Sequence, residues 1–265
     1  MLITSRDNER VKHARAVRDG KERKNIFIEG VRLCEEAILA DLKIVEAFAN
    51  VTFDSDERGK NLIESLREKA VKINFLSEKI FETVSETKSS QGIVLLASCP
   101  KNGVEVLEKD LPQSPLIVVL HKTNNPANAG AIVRVAEAAG ARGIIATKGV
   151  TYLYSPKALR GSMGSSFRLP MWLGATFDEA IAWCRKHKIK TVCSAPLADV
   201  VHTDFDWKQS CALILGEEGS GLTDKEIAAA DKAIRIPMCP PVESLNVAVA
   251  TGILLYEAFR QRCGS

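Results

Sequence analysis

Side chains able to bind a polar ligand follow two apolar runs in the second half of the chain. Glu217 and Glu218 stand in GEEGSGL, which directly follows the run CALIL and whose glycines allow tight backbone turns. Asn128 belongs to the amide-rich turn NNPAN, shortly after the run LIVVL, and we expect it to cap a helix over residues 129–139. Arg134 lies on that helix, where its charge either faces solvent or is held for an anion. Carboxylates, amides and a guanidinium together can orient a polar substrate and manage its protons.

A further polar group lies in residues 234–262, IRIPMCPPVESLNVAVATGILLYEAFRQR. A short strand over residues 234–236 ends at Pro237, and Pro240 and Pro241 keep the next segment irregular. Ser244 can cap the helix that follows, because its hydroxyl can accept a hydrogen bond from a free backbone N–H. Taken alone, this pattern also fits the last strand–helix unit of any α/β domain.

Several familiar kinds of site are absent from the sequence. GEEGSGL lacks the lysine of a phosphate loop, since Leu222 follows its last glycine. There is no GxGxxG after the first strand, no GxSxG and no HExxH. The seven cysteines form no CxxC pair and the four histidines show no ligand spacing, so we expect no metal site and no disulfide framework. We interpret each histidine as exposed or internally satisfied rather than catalytic.

Alternating strands and helices would position these groups. Continuous apolar runs predict strands buried on both faces, and amphipathic spacing predicts the helices between them. A repeated strand–helix pattern favours a mainly parallel sheet, which binds ligands beyond the carboxyl ends of its strands. The predicted strands span residues 116–120, 143–147, 190–195, 211–215 and 234–236, and the predicted helices span 129–139, 155–164, 176–187 and 224–230.

The first hundred residues also alternate between helices and strands, and they predict a separate, small α/β/α domain over residues 1–98. Residues 99–115 contain three prolines around a charged turn, a composition that predicts a linker. The second domain would then span residues 116–265. Glu29 is a lone carboxylate before a glycine, and we interpret it as structural.

Positive charge is concentrated near the N-terminus. The net charge of the 265 residues is only +3, but residues 6–24 contain eight lysines and arginines against four acidic residues. This segment fits a phosphate-rich partner, and it fits equally a solvated helix of mixed charge. No apolar run reaches the roughly 18 residues of a membrane span, and the N-terminus has no apolar signal core. We therefore expect a cytoplasmic protein with no membrane partner.

Three stretches in order, NPANAGAIVRVAEAAGA, LILGEEGSGL and IRIPMCPPVESLNVAVATGILLYE, resemble the three motifs of the SpoU (TrmH) family of RNA ribose 2′-O-methyltransferases. The resemblance covers about the last 150 residues. FIEGVRLCEEAI and SSQGIVLLA, in the first hundred residues, look like the substrate-binding domain of this family, a fold similar to small ribosomal RNA-binding proteins. One departure is Cys239-Pro240-Pro241, where members of the family more often carry a glycine.

The resemblance implies an α/β fold in which the C-terminal, mainly parallel sheet has helices on both faces and contains a deep trefoil knot. A knot would have been rejected on general grounds, so this expectation depends on the family alone. The resemblance also implies S-adenosylmethionine as cofactor, RNA as substrate, and a homodimer with the active site near the subunit interface.

Site residues carry over from the family by position. The catalytic residues implied are Arg134, Asn246, Glu218 and Ser244. Those implied to hold the cofactor are Gly216, Ile236, Leu245, Leu215, Ala195 and Met238. Asn128 would line the site. Beyond the family positions, RNA contacts are expected from Lys12 and Arg15 in the basic N-terminal segment and from Arg160 and Arg168, which flank the loop GSMGSSF, and ordinary surface positions would also explain these four basic residues.

The implied reaction is transfer of a methyl group to a ribose 2′-hydroxyl. Ribosomal RNA is favoured over transfer RNA because the N-terminal domain resembles those of ribosomal RNA enzymes. The alternatives are a tRNA 2′-O-methyltransferase, a non-catalytic RNA-binding factor on the same scaffold, and a nucleotide-dependent metabolic enzyme. Arginine stays protonated at neutral pH, so we assign Arg134 to binding the neighbouring phosphate and stabilising negative charge rather than to accepting the proton.

Overall fold

Runs of buried apolar residues form two separate β-sheets, and the chain divides into two units around them. The structure is a computed structural model, and it describes residues 2–263. The N-terminal unit comprises the chain up to Pro100 together with Tyr154–Arg168. The C-terminal unit comprises Lys101–Leu153 and the chain from Leu169 onward.

The helices and strands follow the chain in this order: β1 (Leu2–Ile3), α1 (Glu9–Arg18), β2 (Asn25–Glu29), α2 (Val31–Leu39), β3 (Ile44–Asn50), α3 (Glu57–Glu68), β4 (Ile73–Leu76), α4 (Glu78–Val84), β5 (Ile93–Ser98), α5 (Val104–Glu108), β6 (Leu116–Leu120), α6 (Pro126–Ala138), β7 (Gly143–Thr147), α7 (Pro156–Ser162), α8 (Ser165–Arg168), β8 (Met171–Ala175), α9 (Phe177–Lys186), β9 (Lys190–Ser194), β10 (Val200–Val201), β11 (Cys211–Leu215), α10 (Asp224–Ala229), β12 (Lys232–Arg235) and α11 (Val247–Cys263).

The N-terminal unit is built on a mixed sheet with the strand order β1-β4-β3-β5-β2. Strands β2 and β3 run antiparallel to β5, whereas β1 and β3 run parallel to β4. Helix α7 contacts β2, so a segment far along the chain completes this unit. Glu29 is buried and accepts hydrogen bonds from the hydroxyls of Thr87 (2.8 Å) and Ser90 (3.0 Å). The carboxylate therefore fixes the loop before β5, in agreement with its structural interpretation.

The C-terminal unit contains a sheet whose paired strands are all parallel, in the order β10-β12-β9-β11-β6-β7-β8. Every residue of β6, β7 and β11 is buried, as expected for a parallel sheet. Leu120 lies opposite Leu215, so the carboxyl ends of β6 and β11 meet at one edge. The predicted α/β fold with a mainly parallel sheet is confirmed. Between residues 2 and 263, no helix is both long and apolar enough to cross a bilayer.

Two differences from the sequence prediction affect how the chain divides into units. The predicted linker over residues 99–115 contains α5, and Leu107 on this helix is fully buried in the core of the C-terminal unit. A side chain at Gly143 would lie 2.2 Å from Leu107 Cδ1, so a glycine in β7 makes room for it. The predicted helix over residues 155–164 exists as α7, but it belongs to the N-terminal unit.

Candidate functional site

A cavity of about 460 Å³ lies in the C-terminal unit at the carboxyl ends of β9, β11 and β12. This is the edge at which a parallel sheet is expected to bind ligands. Three segments that follow strands form most of its wall: residues 194–196 after β9, residues 215–222 at the end of β11 and beyond, and Ile236 and Met238 after β12. The start of α11 adds residues 244–247 and Ala250, and α6 and α10 add Asn128 and Ile227.

The loop after β11 is folded back tightly on itself. The N–H of Gly221 donates to the carbonyl of Glu217 (2.9 Å), and the N–H of Glu217 donates to the carbonyl of Gly221 (3.2 Å). Gly219 and Gly221 have φ of +97° and +69°, a region that favours glycine. A Cβ at Gly216 would lie 2.5 Å from the carbonyl carbon of Gly221. The glycines therefore allow this backbone to line the cavity.

A chain of side-chain hydrogen bonds joins the three segments that carry the sequence motifs. Glu218 accepts from the amide of Asn128 (3.0 Å) and from the backbone N–H groups of Asn124 (3.2 Å) and Asn125 (3.4 Å). The amide nitrogen of Asn246 donates to the amide oxygen of Asn128 (3.2 Å). The loop after β11 and the first turns of α6 and α11 are therefore fixed relative to one another.

Asn246 rather than Ser244 caps α11. Its amide oxygen accepts from the backbone N–H groups of Ala248 (2.9 Å) and Val249 (3.3 Å). The prediction for Ser244 was wrong because the helix begins at Val247, which leaves Ser244 outside the capping position. The Ser244 hydroxyl is exposed and lines the cavity.

The cap of α6 differs from the prediction in the same way. The helix begins at Pro126, and the side chain of Asn125 accepts from the N–H of Ala127 at 2.9 Å. Asn128 therefore lies inside the first turn instead of capping the helix. Its side-chain amide is thereby available to connect Glu218 with Asn246.

Most of the predicted site residues lie around this cavity. It is lined by all six residues predicted to hold the cofactor, and by Glu218, Ser244, Asn246 and Asn128. Among the residues predicted to be catalytic, Arg134 is the exception. It is exposed on α6, about 240° around the helix from Asn128, and its guanidinium makes no hydrogen bond or ion pair with any described residue.

Two arginines predicted to contact RNA, Arg160 and Arg168, lie in the N-terminal unit, and both form ion pairs there. Arg160 pairs with Glu86 (2.5 Å) and Arg168 pairs with Glu36 (2.7 Å). The sequence could not reveal these partners, because each carboxylate lies far from its arginine along the chain. Both charges are partly neutralised where they stand.

Several basic side chains of the N-terminal segment also form ion pairs or hydrogen bonds within the protein. On α1, Lys12 pairs with Glu9 at 2.9 Å, and this carboxylate raises the pKa of the lysine. Arg15 donates to the carbonyl of Arg6 at 3.3 Å. Arg10 pairs with Glu46 at 2.7 Å. Lys12 and Arg6 remain exposed to solvent.

Sequence reasoning missed one pair beside the cavity, His121 with Glu226. The imidazole Nε2 lies 2.8 Å from a carboxylate oxygen of Glu226, and Nδ1 lies 2.9 Å from the hydroxyl of Thr147. Burial raises the pKa of Glu226, but hydrogen bonds from Thr223, Lys122 and His121 outweigh it and lower the pKa to about 2. The next residue on α10 is Ile227, which lines the cavity, so this pair fixes part of the wall.

Among the described residues, no group of three or more His, Cys, Asp or Glu side chains is placed to hold a metal ion.

Two family models match the chain. The SpoU rRNA Methylase family matches residues 115–256, and the model for RNA 2′-O ribose methyltransferase substrate binding matches residues 27–102. An uncharacterised tRNA/rRNA methyltransferase of Synechocystis is 30% identical over 98% of this chain and 94% of its own length. The 23S rRNA (guanosine(2553)-2′-O)-methyltransferase RlmP of Bacillus subtilis is 27% identical over 96% of this chain and 97% of its own length.

Solved structures resemble the chain over nearly its whole length. A crystal structure of an RNA 2′-O ribose methyltransferase is 31% identical, with a TM-score of 0.83 over 99% of this chain and 100% of its own. The AdoMet-bound rRNA methyltransferase of Sinorhizobium meliloti is 28% identical, with a TM-score of 0.85 over 98% of this chain and 97% of its own.

Proposed function

The chain belongs to the SpoU rRNA methylase family, and we propose that it transfers a methyl group from S-adenosylmethionine to the 2′-oxygen of a ribose in ribosomal RNA. The observation that carries this proposal is the convergence of the three motifs. The residues that the family uses for cofactor and catalysis, Arg134 apart, line one cavity and are joined by the hydrogen bonds from Glu218 through Asn128 to Asn246.

The cavity fits S-adenosylmethionine in size and chemistry. Its volume falls in the usual range for small-molecule sites, roughly 300–1,000 Å³. Leu215, Ile236, Met238 and Leu245 provide apolar walls suited to an adenine ring. The polar loop after β11 provides backbone groups and carboxylates suited to the amino-acid and sulfonium part. We assign Gly216 and Ala195 to the backbone edge of the same site.

S-adenosylmethionine would supply an electrophilic methyl group on its sulfonium. The protein must then align the ribose 2′-oxygen with this carbon and stabilise negative charge as the hydroxyl loses its proton. Asn246 donates one amide hydrogen to Asn128, so its second amide hydrogen is available to the ribose. The exposed hydroxyl of Ser244 also lines the cavity. Glu218 holds Asn128 in the required orientation and is thereby a positioning residue.

Arg134 would bind the phosphate beside the target ribose, and we propose that it does so in the cavity of a second copy of the chain. It is exposed, has no partner among the described residues, and does not line its own cavity. Helix α6, which carries it, packs against α11. Apolar side chains that are more than a third exposed line α11: Val249, Ile253, Tyr256 and Phe259. Such a face is suited to a homodimer interface.

Subunit complementation tests the homodimer. Arg134→Ala and Asn246→Ala chains should each be inactive alone. An equimolar mixture of the two chains should recover about a quarter of wild-type activity, because half of its dimers are mixed and each mixed dimer has one intact cavity of two. Recovery below a few per cent, with mixed dimers demonstrated by mass spectrometry, would place Arg134 in the cavity of its own chain.

We further propose that the C-terminal unit contains a deep trefoil knot. Family membership supports this, and so does the strand order, in which the last strand, β12, lies between β9 and β10 rather than at an edge. The N-terminal unit would bind RNA, as the match to the substrate-binding model suggests, with Lys12 and Arg15 contacting phosphates. Arg160 and Arg168 could join them only by exchanging their ion pairs for RNA phosphates. The protein would act in the cytoplasm on ribosomal RNA.

Methylation mapping tests the proposed activity. Purified protein with S-adenosylmethionine should modify ribosomal RNA at a discrete ribose, detected as a nucleotide resistant to alkaline hydrolysis. An Asn246→Ala chain is the control. Transfer to tRNA alone would favour the tRNA alternative. RNA binding without transfer by a protein that binds the cofactor would favour a non-catalytic RNA-binding factor.

A further inference from the structure

We propose that Glu217 makes the cavity favour the cationic cofactor over its demethylated product. This inference rests on the proposed function, since it concerns the same cavity and the same cofactor. It assigns a role in selecting the ligand by charge to a residue that the motif comparison left without one.

The charges around the cavity are one-sided. Glu217 and Glu218 both line it, whereas the lining within the described residues includes no lysine, arginine or histidine. A ligand that carries positive charge therefore meets two carboxylates and no basic side chain from the same chain, in a cavity where water screens charge less than at the surface.

The two carboxylates differ in how far their charge is already satisfied. Glu218 accepts three hydrogen bonds, from the amide of Asn128 and from two backbone N–H groups. Glu217 accepts one side-chain hydrogen bond, from the hydroxyl of Ser220 to Oε2 at 2.7 Å, and its Oε1 has no donor among the described residues. Glu217 is therefore the carboxylate with acceptor capacity left for a ligand.

The backbone holds Glu217 firmly in this position. Its N–H and carbonyl both bond to Gly221, which closes the loop on either side of the side chain. The side chain adds one hydrogen bond within the loop, from the Ser220 hydroxyl, and the amide oxygen of a glutamine at 217 can still accept it. A change at the carboxylate should consequently alter the charge of the cavity without unfolding the loop.

Methyl transfer changes the charge of the ligand by one. In the proposed transfer the sulfur–carbon bond breaks and its electron pair stays on sulfur, a carbon–oxygen bond forms at the ribose, and the proton of the 2′-hydroxyl passes to solvent water. S-adenosylmethionine carries a net charge of about +1 at neutral pH, and the product S-adenosylhomocysteine carries none. A half-buried carboxylate beside the site should attract the cofactor about tenfold more than the product, which helps the product to leave.

Calorimetric titration of three ligands tests the inference. The ligands are S-adenosylmethionine, S-adenosylhomocysteine, and sinefungin, which carries an amine in place of the sulfonium. Glu217→Gln should weaken binding of the two cations about tenfold and that of the neutral product less than twofold. Ser220→Ala, which keeps the charge of Glu217, should leave the ratio of cofactor to product affinity unchanged. Glu217→Asp should also preserve it.

The outcomes separate this inference from the proposed function. Equal weakening of all three ligands by Glu217→Gln, or no weakening, would overturn the role of the charge while leaving the cofactor site intact. Failure of the wild-type protein to bind any of the three would overturn the proposed function itself. A salt titration of the wild-type protein gives a second measurement: cofactor affinity should fall with added salt and product affinity should not. Parallel salt dependence would also count against the inference.

Discussion

Asn246 has two separate tasks, and two substitutions should separate them. Its amide oxygen caps α11, and its amide nitrogen donates to Asn128, which in turn donates to Glu218. Asn246→Ala removes both groups. Asn246→Asp keeps an oxygen acceptor for the helix N-terminus and removes only the donor.

The two variants should differ in stability. Loss of a capping side chain costs about 1 kcal/mol, within a range of about 0.5–2 kcal/mol. For a unit of this size, about 1 kcal/mol lowers the midpoint of thermal unfolding by about 2–4 °C. A carboxylate is an equally good cap and is favoured by the partial positive charge at the helix N-terminus, so Asn246→Asp should not lower the midpoint.

Both variants should lose methyl transfer. With Asp at 246, the Asn128 amide faces a carboxylate on each side and can orient its donor groups well toward only one of them. An unsatisfied acceptor costs about 1–3 kcal/mol, which by itself lowers transfer about 5- to 150-fold in both variants, and loss of the amide donor to the ribose lowers it further.

Thermal unfolding followed by circular dichroism, and single-turnover transfer of labelled methyl groups to ribosomal RNA, give the two readouts. Ser244→Ala is the stability control and should leave the unfolding midpoint unchanged, because Asn246 is the cap. A fall in midpoint for Asn246→Asp equal to that of Asn246→Ala, or wild-type transfer by Asn246→Asp, would refute the separation of the two tasks.

Three further predictions concern other contacts around the cavity. The pKa of Glu226 is lowered to about 2, so this carboxylate contributes stability above the pKa of about 4.3 for an unfolded glutamate and loses it as the pH falls toward 2. Glu226→Gln should therefore lower the free energy of unfolding by up to about 3 kcal/mol at pH 7 in urea denaturation, and the difference from wild type should shrink steadily below about pH 5. Gly216→Ala should weaken cofactor binding at least about tenfold by calorimetry, because the added methyl group would lie 2.5 Å from the carbonyl carbon of Gly221 and would displace the loop. Arg134→Ala should abolish methyl transfer with cofactor affinity unchanged, and Arg134→Lys should restore only part of the activity if the guanidinium binds phosphate through two parallel hydrogen bonds.

The sequence predicted the parts of the fold that depend on local pattern. Strands β6, β7 and β11 are continuous apolar runs, and a segment buried on both faces of a parallel sheet requires such a run. The family assignment is likewise confirmed, because three motifs at fixed spacing are far more specific than any one of them. The same motifs correctly indicated which loops converge.

Details that depend on long-range partners were beyond sequence reasoning. His121 and Glu226 pair across 105 residues, and neither shows a local signal for the other. Ser244 and Asn246 are both good capping residues, and the tertiary position of the first helical turn decides between them. From the sequence alone Arg160 looks like an unpaired cation on its helix, but in the structure it forms an ion pair with Glu86.

Residues 154–168 are another such case, and they affect how the protein is made. The N-terminal unit needs α7 and α8, in which Ala158, Leu159 and Phe167 are buried. During synthesis, strands β6 and β7 leave the ribosome before this segment does. The N-terminal unit therefore cannot complete its folding until part of the other unit has been synthesised. Until then, the apolar surface that α7 and α8 cover stays exposed. A gene fragment that starts at Lys101 would encode residues 154–168 without the N-terminal β-sheet against which they fold. One cut in the gene therefore cannot yield the two units as separate, complete domains.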